Sequence, residues 1–284
     1  ELLDNVTLGA TLAITKATTI DLKGKTVTFA ADLATGIDAQ DVTGGIVIKN
    51  GKIVSATGRA NIAGSKAIYL LRTSAEFTDV EIDAPGFDYV LTHMGNIADL
   101  NRSRSEYWTV NTPYTLDCNN VDVKGNGSLF HLEYVAADLD ADCSATQSGE
   151  DAQDWRNCAI HAGANAVVTI AGGEYTGKYA IYKMSSPAKI YVNGGKFTGG
   201  VYMHEIDPVY EGTGDDVLAI AAGDFSDDEI DVKYLANKVD AGYERAWVAG
   251  DEVGYVKPGA KAITYNITYT FTGVEDADKG NYHC

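Results

Sequence analysis

The sequence predicts an all-β chain wound as a solenoid of short strands, and three observations predict it. Glycine occurs 30 times and tyrosine 17 times, against five prolines and three methionines, a composition of strands and tight turns rather than helices. Apolar side chains alternate in runs of about five residues that close on a glycine, the period of a strand with one buried face. The runs also repeat, and self-similarity at a fixed period is the mark of stacked supersecondary units.

The clearest copy is Val167-Val168-Thr169-Ile170-Ala171-Gly172-Gly173-Glu174-Tyr175-Thr176-Gly177, which aligns with Lys189-Ile190-Tyr191-Val192-Asn193-Gly194-Gly195-Lys196-Phe197-Thr198-Gly199; the offset from Tyr175 to Phe197 is 22 residues. A third copy, Leu218 to Ser226, follows 28 residues later. Near the other end, Ile46-Val47-Ile48-Lys49-Asn50-Gly51-Lys52-Ile53 carries the same strand, glycine turn and apolar landing. Looser copies are Ile20 to Val27 and Val121 to Gly125. In each unit Val168 and Ile170 face one side and Thr169 the other, and the glycine turns the chain where a Cβ would clash. One unit cannot bury its apolar face alone, but units stacked about 4.8 Å apart build a continuous core.

Two or three short strands on a coil of this length resemble the right-handed parallel β-helix, the pectate-lyase-like architecture. The stretch from Val6-Thr7-Leu8 to Lys25-Thr26-Val27 is similar to the first coils of bacterial and phage β-helix proteins. The resemblance spans roughly residues 6 to 226. It implies a solenoid with loop insertions, and it leaves activity open, because the scaffold hosts lyases, hydrolases, adhesins and phage fibres alike. A β-sandwich with strands every 8–12 residues is the alternative all-β reading, and the 22-residue self-match disfavours it.

The domain reading is a β-helix over 1–226, with insertions near 88–115, 133–157 and 203–216, then a C-terminal cap and terminal strand over 227–284. Insertions leave a solenoid as corner loops, where binding functions concentrate. Ser226-Asp227-Asp228-Glu229 reads as a helix N-cap with acidic first-turn residues, and Val232, Tyr234 and Leu235 as cover for the open end. Tyr234-Leu235-Ala236 with Gly242-Tyr243-Glu244 resembles the tails of such β-helix proteins. Ala262 to Phe271 alternates strictly and reads as an exposed strand, available to the cap or to another subunit.

Charge narrows the function. With 40 Asp+Glu against 22 Lys+Arg the net charge is −18, which argues against nucleic acid and anionic membrane partners. No apolar run reaches the roughly 18 residues of a transmembrane helix, so membrane insertion is not expected. The chain opens at Glu1 without a basic-then-apolar leader, so a secretion signal or upstream anchor is expected to be missing already.

Enzymatic signatures of related scaffolds are missing. The Gly-His-Gly and Arg-x-Lys motifs of polygalacturonase-like hydrolases do not occur around His93, His131, His161, His204 or His283. Pectate lyases need calcium carboxylates beside a proton-abstracting Arg or Lys, and no spacing singles out Arg102, Arg104 or Arg156. A glycosidase needs only two well-placed carboxylates, for which Asp117, Asp122, Asp140 and Asp142 are the candidates. Alternating Asp138, Asp140 and Asp142 would share one side of an extended strand and gather oxygen ligands, so calcium is the one cofactor considered. The run lacks the glycine and terminal glutamate of an EF-hand, and a solvated acidic face is the preferred explanation. Capping explains Asp227, Asp228, Glu229 and Asp231.

Arg102, Arg104, Tyr107 and Trp108, with Tyr210 in the third insertion, form the recognition candidate: rings stack on sugars, and arginine pairs with acidic ones. The bland alternative is that Trp108 anchors its loop. Tyr179, Tyr182, Tyr191 and Tyr202 recur at strand positions, a ladder for glycan or for packing. Cys143 and Cys158 flank the acidic insertion as a candidate staple among Cys118, Cys143, Cys158 and Cys284. The sequons at Asn5, Asn101, Asn126 and Asn266 are expected by chance.

These features lead to the expectation of a non-enzymatic structural or attachment protein at a virion or cell surface. The favoured form is a phage fibre or capsid-decorating protein with a host-surface glycan or receptor as partner. A bacterial adhesin, a glycan-binding module and a polysaccharide lyase or hydrolase are the alternatives. Virion or cell-surface proteins are the other expected partners, and a homotrimer joined through the last strand is the association to test.

Overall fold

The computed structural model describes residues 1–95, 114–149, 156–184, 188–203, 217–225, 244–247 and 253–256. The first turn of the chain is β1 (Val6–Leu8), β2 (Leu12–Ile14) and β3 (Thr18–Asp21). Each lies parallel to the strand one turn later: β1 to β4 (Thr26–Phe29), β2 to β5 (Thr35–Gln40), and β3 to the start of β6 (Ile46–Ser55). The winding continues through β7 (Ile62–Leu71), β8 (Ala75–Asp83), β9 (Phe87–Met94), β10 (Thr115–Gly125) and β11 (Ser128–Glu133). It is completed by β12 (Ala136–Leu139), β13 (Ser144–Gln147), β14 (Cys158–Ala162), β15 (Val167–Ile170), β16 (Glu174–Lys183), β17 (Lys189–Met203) and β18 (Val217–Asp224).

Parallel pairing sorts these strands into three walls of a β-helix-like solenoid. Wall A stacks β3, the first halves of β6, β8 and β10, then β12, β15 and the starts of β17 and β18. Wall B stacks β1, β4, the second halves of β6, β8 and β10, then β13, the start of β16 and the middle of β17. Wall C stacks β2, β5, β7, β9, β11, β14 and the ends of β16 and β17.

The self-match is one turn of this winding. Tyr175 pairs with Phe197, and Val168 with Ile190, which pairs with Leu218. A 22-residue step also separates Asp122 from its partner Ser144. Alternation then builds the core, since every second residue of a wall points inward. Ile48, Phe77, Cys118, Leu139, Ile170, Val192 and Ile220 form one buried column on wall A, and Ile37, Ile68, Leu91, Phe130, Ile160 and Ile181 another on wall C. Each such side chain contributes roughly 1.5–3 kcal/mol through burial.

The corner between walls A and B shows why these residues turn there. Asn50, Asp79 and Asn120 occupy the left-handed region, with φ of 61°, 56° and 52°, a conformation Asn and Asp tolerate better than other side chains. Their side chains bond along the stack: Asn120 Nδ2 donates to Asp79 Oδ1 at 2.7 Å and Asn50 Nδ2 to Asp21 Oδ1 at 3.1 Å. In the Asn50-Gly51 pair the left-handed residue is therefore the asparagine. Gly51 is needed for close approach, because a Cβ there would sit 2.6 Å from the Leu22 Cβ and the Lys25 carbonyl.

Three sequence expectations change. Asp88 to Met94 belongs to β9, and Ala136–Leu139 and Ser144–Gln147 are regular rungs, so the excursions near 88–115 and 133–157 are narrower than their sequence bounds. Apolar alternation in these stretches is broken at the inward polar residues His93 and Gln147, which hid the rungs. Cys143 and Cys158 are buried, on walls B and C, and form no disulfide with each other, so they do not staple the acidic segment. Among the described residues the parallel order ends at β18, whose last residues pair antiparallel with β20 (Val253–Val256), itself the partner of β19 (Glu244–Trp247). The predicted helix cap at 226–229 and the strand at 262–271 lie outside the described residues.

One buried histidine carries a pH consequence. His93 lines the interior of wall C between Leu70 and Leu132, and its Nε2 donates to the Thr73 carbonyl at 2.7 Å. Burial pushes its pKa down to about 4. A depressed folded-state pKa gives stability that is present above pH 6.5 and lost as pH falls toward 4. His93→Gln is expected to lose less stability than the wild type between pH 6.5 and 4, read from denaturant midpoints at each pH.

Candidate functional site

The outer face of wall A carries the most concentrated charge of one sign in a single column. Val47, Glu76, Asp117, Asp138, Thr169 and Tyr191 follow one another in register on successive turns. Three carboxyls thus stand side by side, about 4.8 Å apart at their backbones. Burial and the neighbouring Asp138 and Glu76 charges raise the Asp117 pKa above the usual carboxylate range. A raised folded-state pKa favours folding at low pH and opposes it once pH exceeds that value. Asp117→Asn is therefore expected to stabilise the fold at pH 7 by about 0.5–1 kcal/mol, the scale of like charges placed directly opposite. The gain should vanish near pH 3, as thermal melts at both pH values would read.

The predicted carboxylate candidates separate on this frame. Asp117 joins Asp138 and Glu76 on wall A, whereas Asp122 faces out from wall B beside Glu81. Asp122 is engaged by Lys124 Nζ and by the Ser144 hydroxyl, which donates to Oδ1 at 2.6 Å, while Lys52 holds Glu81 at 2.5 Å. The run Asp138, Asp140, Asp142 does not stay extended: β12 ends at Leu139, and Asp140 Oδ1 turns back to accept the Asp142 and Asn120 backbone N–H groups at 3.0 and 3.2 Å. Among the described residues no three His, Cys, Asp or Glu side chains gather as a metal would require, so these three aspartates do not fit the calcium ligand set the sequence suggested.

Wall C presents an aromatic column that sequence reasoning found only in part. Tyr89, His131, His161, Tyr182 and Tyr202 stack in turn, with ring centroids 4.8, 4.2, 5.4 and 4.4 Å apart. Tyr179 packs against both Tyr182 and Tyr202, whereas Tyr191 stands on wall A. The Tyr182–Tyr202 planes lie within 14° and those rings turn their faces to one another, whereas the three earlier pairs meet edge to face, at 79°, 87° and 83°. Stacked and edge-to-face contacts between aromatic rings both join successive turns. His131 and His161 pair in register, a relation visible only once the intervening insertion is placed. Beside them Arg156 Nη1 bonds the buried Asp88 Oδ2 at 2.8 Å, and Asp88 accepts the Gly64 N–H at 2.5 Å. Arg156, a lyase candidate in the sequence, is thus tied to a buried carboxylate.

Arg102, Arg104, Tyr107, Trp108 and Tyr210 lie outside the described residues. Residues 96–113 join β9 on wall C to β10 on wall A, and residues 204–216 join β17 on wall C to β18 on wall A. The described strands that flank both segments meet at the corner between walls C and A.

Described residues at that corner form an open groove of about 470 Å³. It is lined by Asp41, Val42, Thr43, Gly44, Gly45, Arg72, Ser74 and Tyr114. Asp41 and Arg72 are left-handed corner residues on consecutive turns, with φ of 55° and 47°, and the Asp41 N–H donates to the Leu71 carbonyl. Their side chains meet as a two-point pair, Nε to Oδ1 at 2.5 Å and Nη2 to Oδ2 at 2.7 Å.

The class defined by these features is a parallel β-helix-like solenoid with a row of carboxyls on one wall, an aromatic column on another and an open groove at a corner between them. No family model matches the chain, and neither a curated protein nor a solved structure is significantly similar to it.

Proposed function

We propose that the chain is a non-enzymatic attachment or structural protein displayed on a surface, of the phage-fibre or capsid-decorating kind, with a bacterial adhesin as its nearest variant. We read the solenoid as the right-handed, pectate-lyase-like form, on the strength of three strands per 22-residue coil. The single observation that supports the functional reading is the unbroken stack of parallel rungs along wall A, which makes a rigid spacer. The stacked core acts as a rigid spacer, and Arg102, Arg104, Tyr107, Trp108 and Tyr210 meet a host-surface glycan or receptor. Adsorption to purified cell-envelope polysaccharide tests it: the wild type is expected to bind, and Arg102→Ala with Trp108→Ala to bind at least 10-fold more weakly. Absence of wild-type adsorption to any envelope polysaccharide would overturn it. In light scattering a homotrimer is expected, and a strict monomer counts against the fibre form.

The row of Glu76, Asp117 and Asp138 favours a second reading, a carbohydrate-active enzyme, because neighbouring carboxyls with one raised pKa are the raw material of acid–base chemistry. Product release from a polysaccharide panel, run with and without calcium, would support it, and no release would remove it.

A further inference from the structure

We infer that the groove at the corner between walls C and A is a subsite for one neutral pyranose ring, held by Asp41, Arg72, Ser74 and Tyr114. This inference rests on the glycan-attachment reading above and names where, on the described part of the solenoid, a sugar would sit. The groove volume of about 470 Å³ falls within the range of small-molecule sites. Its lining supplies what a sugar needs. Arg72 has five N–H donors, and Asp41 takes two of them. The pair therefore presents donors and acceptors together on one fixed plane, as vicinal hydroxyls require. Ser74 Oγ already accepts the Thr115 N–H at 3.1 Å, so its own hydroxyl hydrogen remains to be donated outward. Tyr114 adds a half-exposed ring for the C–H face of the sugar.

The backbone keeps the groove open. Gly44 and Gly45 hold φ of 89° and 75°, which side chains adopt only with strain, and a Cβ at Gly45 would lie 2.7 Å from the Ser74 carbonyl. At the next corner position along the stack after Asp41 and Arg72 stands Gly95, where a Cβ would meet the Tyr134 carbonyl at 1.6 Å. The column of corner side chains is thus interrupted beside Arg72. Charge selects the ligand class: Asp41 already neutralises Arg72, and the chain carries −18 overall. An acidic sugar gains little there, and a cation meets the guanidinium.

Saturation-transfer NMR with glucose, galactose, mannose, rhamnose and N-acetylglucosamine tests the subsite, beside adsorption to envelope polysaccharide. At least one neutral sugar is expected to bind the wild type at millimolar concentration. Tyr114→Ala and Arg72→Lys, which keeps the charge but loses the fork, should each weaken binding at least 10-fold with an unchanged circular dichroism spectrum. Should a variant unfold, Asp41→Asn serves in its place with the same expectation. Polysaccharide adsorption without monosaccharide binding, or monosaccharide binding indifferent to these variants, would overturn the subsite and leave the attachment reading standing. Loss of adsorption altogether would overturn both.

Discussion

Phe197→Ala is expected to cost about 3–5 kcal/mol, the range for truncating a fully buried aromatic residue. Phe197 has no exposed surface and lies inside wall B between Tyr175 and Phe225. The three rings stack at centroid distances of 5.3 and 4.5 Å, with planes 14° and 8° apart. Truncation leaves a cavity that neither neighbour can fill, because each is fixed by its own rung. A solenoid turn touches only the turns on either side, so the damage should stay with the neighbouring turns. Hydrogen exchange of residues 189–203 is expected to accelerate while residues 46–55 stay protected. Tyr191→Ala, six residues away on the outer face of wall A, should change the denaturant midpoint by no more than about 0.5 kcal/mol, the scale of ordinary surface substitutions.

Gly173→Ala should cost about 3 kcal/mol or more, since it combines a strained dihedral with a backbone collision. Gly173 has φ of 96°, and an added Cβ would lie 2.0 Å from the Cys143 carbonyl oxygen one turn earlier. That oxygen belongs to the corner and accepts the Glu174 N–H at 3.2 Å, so it cannot retreat without opening the rung. Gly195, its copy one turn later, holds φ of 106° with a Cβ position 3.1 Å from Gly172. Gly9→Ala is the control, with no atom within 4 Å of its Cβ position. Equal midpoints for the two variants would mean that the turn does not pass this closely over its predecessor.

The relation of Tyr175 to Phe197 and of Val168 to Ile190 was legible because both turns are of minimal length and their inward residues keep apolar character. Where a turn is longer, spacing stops reporting register. Glu81 pairs with Asp122 and Ser144 with Glu174 across insertions of different size, so no fixed offset joins Glu76 to Asp117 or Asp41 to Arg72. The outward His131 and His161 gave no signal for the same reason: alternation marks which residues face the core, not which outward side chains meet. Asp140 misled because a run of alternating aspartates reads as a strand, while a carboxylate that can accept its own chain's N–H two residues on ends the strand instead. The groove at Asp41 and Arg72 required two adjacent corners, a relation that exists only after winding.

The winding itself is tested most directly by pairs of spin labels on the outer face of wall B. Thr28, Val54, Asp83, Lys124, Thr146, Thr176 and Thr198 form one column in unbroken register. With one label at Thr28 and the other at Thr146, Thr176 or Thr198, dipolar spectroscopy should give distances that grow by about 4.8 Å per rung, near 19, 24 and 29 Å before label length. Distances that fall or stay level as the second label moves along the chain would contradict the stacked coil and indicate layers folded back on one another.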